Sequence, residues 1–72
     1  DCYSYCLLAL GHIDLIVETG LASYDIAPLI PLVEQAGGVI STWDGSSARA
    51  GGQIVAAASK VLHEQALEIL AG

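Results

Sequence analysis

The sequence has 72 residues, is 54% hydrophobic and 14% charged, and carries a formal net charge of −6, with Arg49 and Lys60 as its basic residues. That length allows one small domain. A chain so poor in charge is unsuited to standing alone as a miniature protein, and its balance excludes nucleic acid and anionic membranes as partners. No apolar run approaches the roughly 20 residues of a membrane span, and no signal-peptide pattern is present. The chain also begins at Asp1, without Met, inside what reads as a helix. It is therefore expected to be the C-terminal piece of a larger protein, with surfaces that pack on other parts.

Residues 1–10 read as a helix, with Tyr3, Cys6, Leu7 and Leu10 on one face, and Gly11 ends it. Cys2 and Cys6, four residues apart, would place their Cβ atoms about 5–6 Å apart on such a helix. That exceeds ordinary disulfide reach, so reduced thiols and a cytoplasmic setting are expected. Two cysteines with no second Cys/His pair nearby make a poor metal site.

Residues 13–18 alternate, Ile13, Leu15 and Val17 facing one way and Asp14, Ile16 and Glu18 the other, which predicts a strand with at least one buried side. Residues 19–23 read as a short loop. A helix then follows, with Asp25 placed as its N-cap and apolar residues Ile26, Leu29, Ile30 and Val33 at helical spacing. Pro28 falls in the first turn at little cost, Pro31 predicts a bend, and Gly37-Gly38 stops the helix.

Residues 39–43 form a short β-prone stretch turned by Asp44-Gly45, and residues 44–52 read as an exposed loop. The unbroken apolar run in residues 53–58 suits a strand covered on both faces. Ser59 can cap a last helix whose apolar face is Leu62, Ala66, Ile69 and Leu70. The order helix, strand, helix, strand, strand, helix argues for an α/β layer architecture, with helices packed on a mixed sheet. There is no internal repeat, low-complexity tract or linker, so residues 1–72 are one structural unit.

Chemistry has few candidates. In α/β folds ligands gather where strands end and helix N-termini point, which places Glu18 and Asp25 on one rim. Asp25 is either a plain helix cap or a metal-ligand carboxylate. Glu18 is either a solvated strand end or part of a site. His12 reads as a loop or cap residue, and His63 as a residue on the solvent side of the last helix. Ser4 lacks a triad pattern. Gly51-Gly52 is no phosphate loop, because no Lys-Ser/Thr follows it. Trp43 reads as a packing residue.

The stretch Tyr24-Asp25-Ile26-Ala27, followed by Glu34-Gln35-Ala36-Gly37-Gly38-Val39, resembles the second signature of the inositol monophosphatase superfamily. The likeness extends upstream through Leu8-Ala9-Leu10-Gly11-His12-Ile13-Asp14 to Glu18, and downstream to the closing strand and helix, so it covers essentially the whole chain. Asp1-Cys2-Tyr3, Tyr24 in place of the usual Trp, and Leu29-Ile30-Pro31 resemble the histidinol-phosphatase branch.

The resemblance implies the C-terminal part of a layered α/β/α sugar-phosphatase-type fold, belonging to a Mg2+-dependent phosphomonoesterase that acts on a small phosphorylated substrate. Histidinol phosphate, an intermediate of histidine biosynthesis, is the expected substrate, with inositol or another sugar phosphate as the alternative. By the same resemblance Asp25 matches a metal ligand, Glu18 matches the acidic residue that contacts the substrate's organic portion, and Asp1 matches a position near the substrate. A homodimer is also implied.

The superfamily's first signature, with its other acidic ligands, does not occur here. One carboxylate cannot assemble a magnesium site that wants about six oxygen ligands. The 72 residues alone are therefore expected to be inactive and to need the N-terminal portion of the same enzyme. The competing reading from another class is a noncatalytic α/β dimerisation module.

Overall fold

The computed structural model describes the backbone of residues 2–72 and the side chains from Ser4 onward. Asp1, and the expectations placed on the side chains of Cys2 and Tyr3, lie outside the described residues. Among the described residues, no helix is long and apolar enough to cross a membrane.

The elements in chain order are α1 (Cys2–Ala9), β1 (Leu15–Ala22), α2 (Ser23–Ile26), α3 (Leu29–Gln35), β2 (Val39–Thr42), β3 (Gly51–Ala57) and α4 (Lys60–Ala71), with a 3-10 turn at Ala48–Ala50 before β3. β3 lies between the other two strands, in the order β1-β3-β2. It pairs antiparallel with both, Ile16 and Ile40 each facing Ala56 in register. The α/β class holds, but a mixed sheet was expected and the pairings among the described strands are all antiparallel. The physical reason is the placement of β3. β1 and β2 run in the same direction, and the helical crossover between them would suit parallel neighbours, but β3 inserts between them and runs the other way.

The continuous apolar run behaves as expected: Ile54, Val55, Ala56 and Ala57 are each 0% exposed. Ile54 and Ala56 face α1, α2 and α3, in a core shared with Tyr5, Leu8, Ile16, Ile26, Leu29, Val33 and Ile40. Val55 and Ala57 face the opposite way, where α4 packs on β3 and β2. Burying an Ile or Val side chain of this kind contributes about 1.5–3 kcal/mol.

Two helix faces differ from expectation. On α1 the buried residues are Tyr5 and Leu8, while Cys6 is exposed and Leu10 is 73% exposed. On α4 His63 and Ala66 are buried and Ile69 is 79% exposed. In both helices several residues of similar hydropathy compete, so sequence pattern alone leaves the rotation of the helix open, and packing decides it. The α1 terminus follows expectation: His12 N–H donates to Leu7 O at 2.8 Å and Gly11 N–H to Leu8 O at 3.0 Å.

The central helix is two helices. Pro28 lacks the N–H that would continue α2, so the chain breaks there, and α3 begins at Leu29. Pro31 then falls in the first turn of α3, where no donor is needed, and the bend expected at Pro31 lies at Pro28 instead. α3 closes as the Gly pair predicts: Gly37 has φ 87°, Gly37 N–H donates to Glu34 O at 3.0 Å and Gly38 N–H to Val33 O at 3.0 Å.

Beyond β2, the Asp44-Gly45 turn forms, with Gly45 N–H on Thr42 O at 3.0 Å and Ser46 N–H on the Asp44 carboxylate at 3.0 Å. The Thr42 hydroxyl, followed by Ser46, holds the Asp44 carboxyl below its ordinary range. Trp43 is a packing residue as expected, and its indole N–H donates to Ile54 O at 3.1 Å. The loop expected over residues 44–52 is shorter, because Ala48 is buried in the 3-10 turn and β3 starts at Gly51. Ser59 caps α4, accepting from Leu62 N–H at 3.2 Å.

Gly38 marks where α3 meets the sheet. A Cβ there would lie 2.7 Å from Ala57 O and 3.0 Å from Val33 Cγ1. Gly38→Ala is therefore expected to destabilise the fold by about 1–3 kcal/mol, the usual cost of overpacking. Urea unfolding of the two proteins checks this, and an unchanged midpoint would contradict the close approach.

Candidate active site

Glu18 and Asp25 are carried on consecutive elements with no loop between them. The expected loop at residues 19–23 is instead strand continued through a bulge: Glu18 pairs with Ile54 and Leu21 with Gly52, so three steps along β1 match two along β3. Gly20, at φ 73°, supplies the backbone conformation for the extra residue. Glu18 thus stands just before the bulge rather than at the strand end. β1 runs on to Ala22, and α2 starts at Ser23.

Asp25 is not the N-cap that its position suggested. Ala22 takes that place and makes no side-chain cap bond, and Asp25 lies in the first turn of a four-residue helix. The plain-cap reading of Asp25 does not hold. Its carboxylate is exposed, while the next residue, Ile26, is 0% exposed and pins α2 against β1, β3 and the 3-10 turn. The order Asp-Ile therefore sets an outward acid on an inward anchor.

Glu18 is half-buried. It lies two residues after Ile16 and shares its face, so it leaves the sheet on the side of α1, α2 and α3. There it meets Tyr5 of α1. Burial, and then the nearby Glu18 carboxylate, push the Tyr5 phenol far above its ordinary range, and the phenol oxygen has no hydrogen-bond partner among the described residues. Solvent reaches neither the Tyr5 phenol oxygen nor Glu18 Oε1. The structure thus places Glu18 and Asp25 around the β1–α2 junction, while Asp1 lies outside the described residues. Sequence reasoning missed Tyr5, because the helical face chosen for α1 was the wrong one. The i, i+3 pair Tyr5 and Leu8 was the available signal.

Among the described residues, no group of three or more His, Cys, Asp or Glu side chains could hold a metal ion. At the β1–α2 junction Asp25 offers an exposed carboxylate of the hard oxygen type that magnesium prefers. The open groove lined by Trp43, Asp44, Gln53 and Leu70 lies at the β2–β3 turn, and neither Glu18 nor Asp25 lines it.

The inositol monophosphatase family model matches residues 1–71. The chain belongs to the inositol monophosphatase family. It is 43% identical over 79 aligned residues to the bifunctional phosphatase IMPL2, chloroplastic, of Arabidopsis thaliana, covering 97% of this chain and 23% of that protein. It is 37% identical to a histidinol-phosphatase of Mycobacterium tuberculosis, over 93% of this chain and 25% of that protein. A solved inositol monophosphatase from Zymomonas mobilis superposes with a TM-score of 0.92 at 44% identity, covering 100% of this chain and 29% of that one. The chain thus spans about a quarter of the length of these relatives.

Outside the junction, one buried polar pair stands out in this inositol monophosphatase family chain. Ser41 of β2 and His63 of α4 are 5% and 7% exposed, and Ser41 Oγ lies 2.7 Å from His63 Nε2. The sequence placed His63 toward solvent. The structure buries it because its hydrogen bond to Ser41 satisfies the ring in the sheet–helix layer. A serine beside a histidine invites a nucleophile reading, but this pair is closed off beneath α4 and joins two elements instead.

Burial lowers the His63 pKa, partly offset by the charge of Glu64. The folded state therefore binds fewer protons than the unfolded chain near the ordinary value of 6.5. The sign follows: this contribution to stability is complete above that value and is lost as the pH falls below it. Thermal midpoints measured from pH 7.5 to 5 are expected to fall more steeply for the native sequence than for His63→Gln, and parallel slopes would contradict this.

Proposed function

We propose that this chain is the C-terminal α/β portion of a magnesium-dependent phosphomonoesterase that releases phosphate from histidinol phosphate. The observation that carries the reading is the near-complete match of this chain to a protein named histidinol-phosphatase, over 93% of its residues. The β1–α2 junction supports it, because two acids of different character sit on adjoining elements. In this reading Asp25 is one oxygen ligand for Mg2+. When bound, that ion screens the phosphate charge and activates water for attack at phosphorus. The rest of the coordination sphere comes from the N-terminal portion of the same enzyme, which would complete the site as a homodimer subunit.

The remaining roles fall to the chain's own side chains. The Asp25 carboxylate is held outward by the buried Ile26 beside it. Glu18 faces the organic part of the substrate, where a carboxylate attracts the ammonium group of an amino alcohol more than a neutral polyol. Asp1 would add a second negative charge there. A second reading, an inositol phosphate as substrate, is favoured by the 44% identity to the Zymomonas mobilis inositol monophosphatase.

In the complete enzyme, Asp25→Asn is expected to lower magnesium-dependent phosphate release by at least about 100-fold, since outer-shell changes alone cost about 10–100-fold at metal sites. Retained turnover would remove Asp25 from the ligand set. Glu18→Gln is expected to raise KM for histidinol phosphate more than for inositol phosphate, and equal losses would favour the second reading. The isolated 72 residues are expected to release no phosphate from either ester with magnesium present, and clear turnover would refute the need for a completing segment.

A further inference from the structure

α4 lies on the sheet face that holds Val55 and Ala57, and its buried residues are His63 and Ala66. Val61 and Ile69 of the same helix are 66% and 79% exposed. The docking of α4 therefore leans on few side chains, and one of them can take up a proton. Opposite it on β2 stands Ser41, in register with Val55 and buried.

Proton counting fixes the direction of the hydrogen bonds at this pair. Ser41 Oγ donates to Thr42 O at 2.7 Å. A carbonyl has no hydrogen to give and a hydroxyl has one, so the Ser41 hydrogen lies in that bond. Ser41 Oγ can then only accept at its 2.7 Å contact with His63 Nε2. The neutral ring is thereby the Nε2–H tautomer. The donors run from α4 through Ser41 to Thr42 O, which also accepts from Gly45 N–H at 3.0 Å in the adjoining turn. A second proton on the ring has Nδ1 as its seat. It leaves the Ser41 bond intact but puts a full charge into the layer between helix and sheet, where burial disfavours it. The facing residues are Val39 and Ser41 from β2, and Gln53, Val55 and Ala57 from β3, and none of them titrates. The charged groups of α4, Lys60, Glu64 and Glu68, are exposed, and Glu64 offsets the burial only in part.

We propose that the Ser41–His63 pair is an acid-sensitive latch: the neutral ring holds α4 on β2 and β3, and a proton on Nδ1 shifts α4 toward an undocked state while the core on the other face stays closed. That core, built on Tyr5, Leu8, Ile16, Ile26, Leu29 and Val33, contains no side chain that gains charge in acid. α4 has 12 residues, and a helix of about that length is marginal in water by itself. An undocked α4 therefore also unwinds, and its amides open to exchange.

The test is hydrogen exchange of the complete enzyme, followed by mass spectrometry at pH 7.5 and 5.5 and corrected for the intrinsic pH dependence of exchange. The ordinary histidine value of 6.5 lies one unit above the lower pH, so protonation can raise the opening of α4 by up to about tenfold. Protection of residues 60–71 is expected to fall toward that limit, with α1 and α3 unchanged. His63→Gln keeps an N–H donor for Ser41 and cannot titrate, so it is expected to remove the fall. No fall in α4, an equal fall in α1 and α3, or a fall that persists in His63→Gln overturns the latch. Should His63→Gln not fold, nitrogen NMR of the native ring decides. The Nε2–H form at pH 7.5, titrating together with the α4 amide signals, supports the latch. The Nδ1–H form, or a ring that titrates while the α4 signals stay in place, overturns it.

Discussion

The burial of β3 on both faces is the constraint from which the rest of the arrangement follows. Four consecutive side chains, Ile54 to Ala57, are sealed, so their flanks must be strands and their faces must be helices. A strand exposed on either face would leave that run in water, at roughly 25 cal/mol per Å² of apolar surface. Small residues at 56 and 57 let the covering layers approach closely. Gly38 comes so near the Ala57 carbonyl that even a methyl group there would collide. The α3–β2 connection is thereby fixed against the centre of the sheet, and with it the position of the crossover that began at β1.

That crossover explains where the acids sit. Because β3 occupies the middle, β1 is an edge strand among the described residues, and its end is free to bulge and turn directly into α2. Pro28 then limits α2 to one turn. A longer helix would have carried Asp25 on a continuous rod with α3. The short one is fastened separately by Ile26, between two strands and the 3-10 turn. Asp25 therefore owes its outward placement to a proline three residues later and to the buried isoleucine next to it, and no cap interaction is involved.

Most of the layer order was legible in the sequence, because it rests on strong local signals. The Gly11 and Gly37 helix stops, the Ser59 cap, the Asp44-Gly45 turn and the sealed run at 54–57 each depend on chemistry within a few residues. The rotations of α1 and α4 were not legible. α1 offers apolar residues on several faces, so Tyr5 and Leu8 are selected only by what lies opposite. His63 looks solvent-seeking until Ser41 is placed 22 positions earlier in the chain and 2.7 Å away. The antiparallel sheet was hidden for the same reason, since insertion of β3 between β1 and β2 is a long-range pairing with no local mark. The neighbourhood of Asp25 and Glu18 at the β1–α2 junction could be read from spacing, while the burial of Tyr5, which is wholly tertiary, could not.

The sheet is clothed unevenly, and this bears on how the site could be completed. Leu15 and Val17 pair with Ala57 and Val55, on the side where α4 packs, yet they remain 38% and 43% exposed. α4 covers β3 and β2 and leaves the β1 flank bare on that side. On the opposite side the same strand carries Ile16 at 9% exposure and the half-buried Glu18. β1 is thus finished on the face that holds the acid and unfinished on the other. A segment that covered Leu15 and Val17 would rigidify the strand that presents Glu18 without occupying the space in front of its carboxylate. The two-residue alternation of a single strand thus gives β1 one covered face, which carries Glu18, and one partly exposed apolar face.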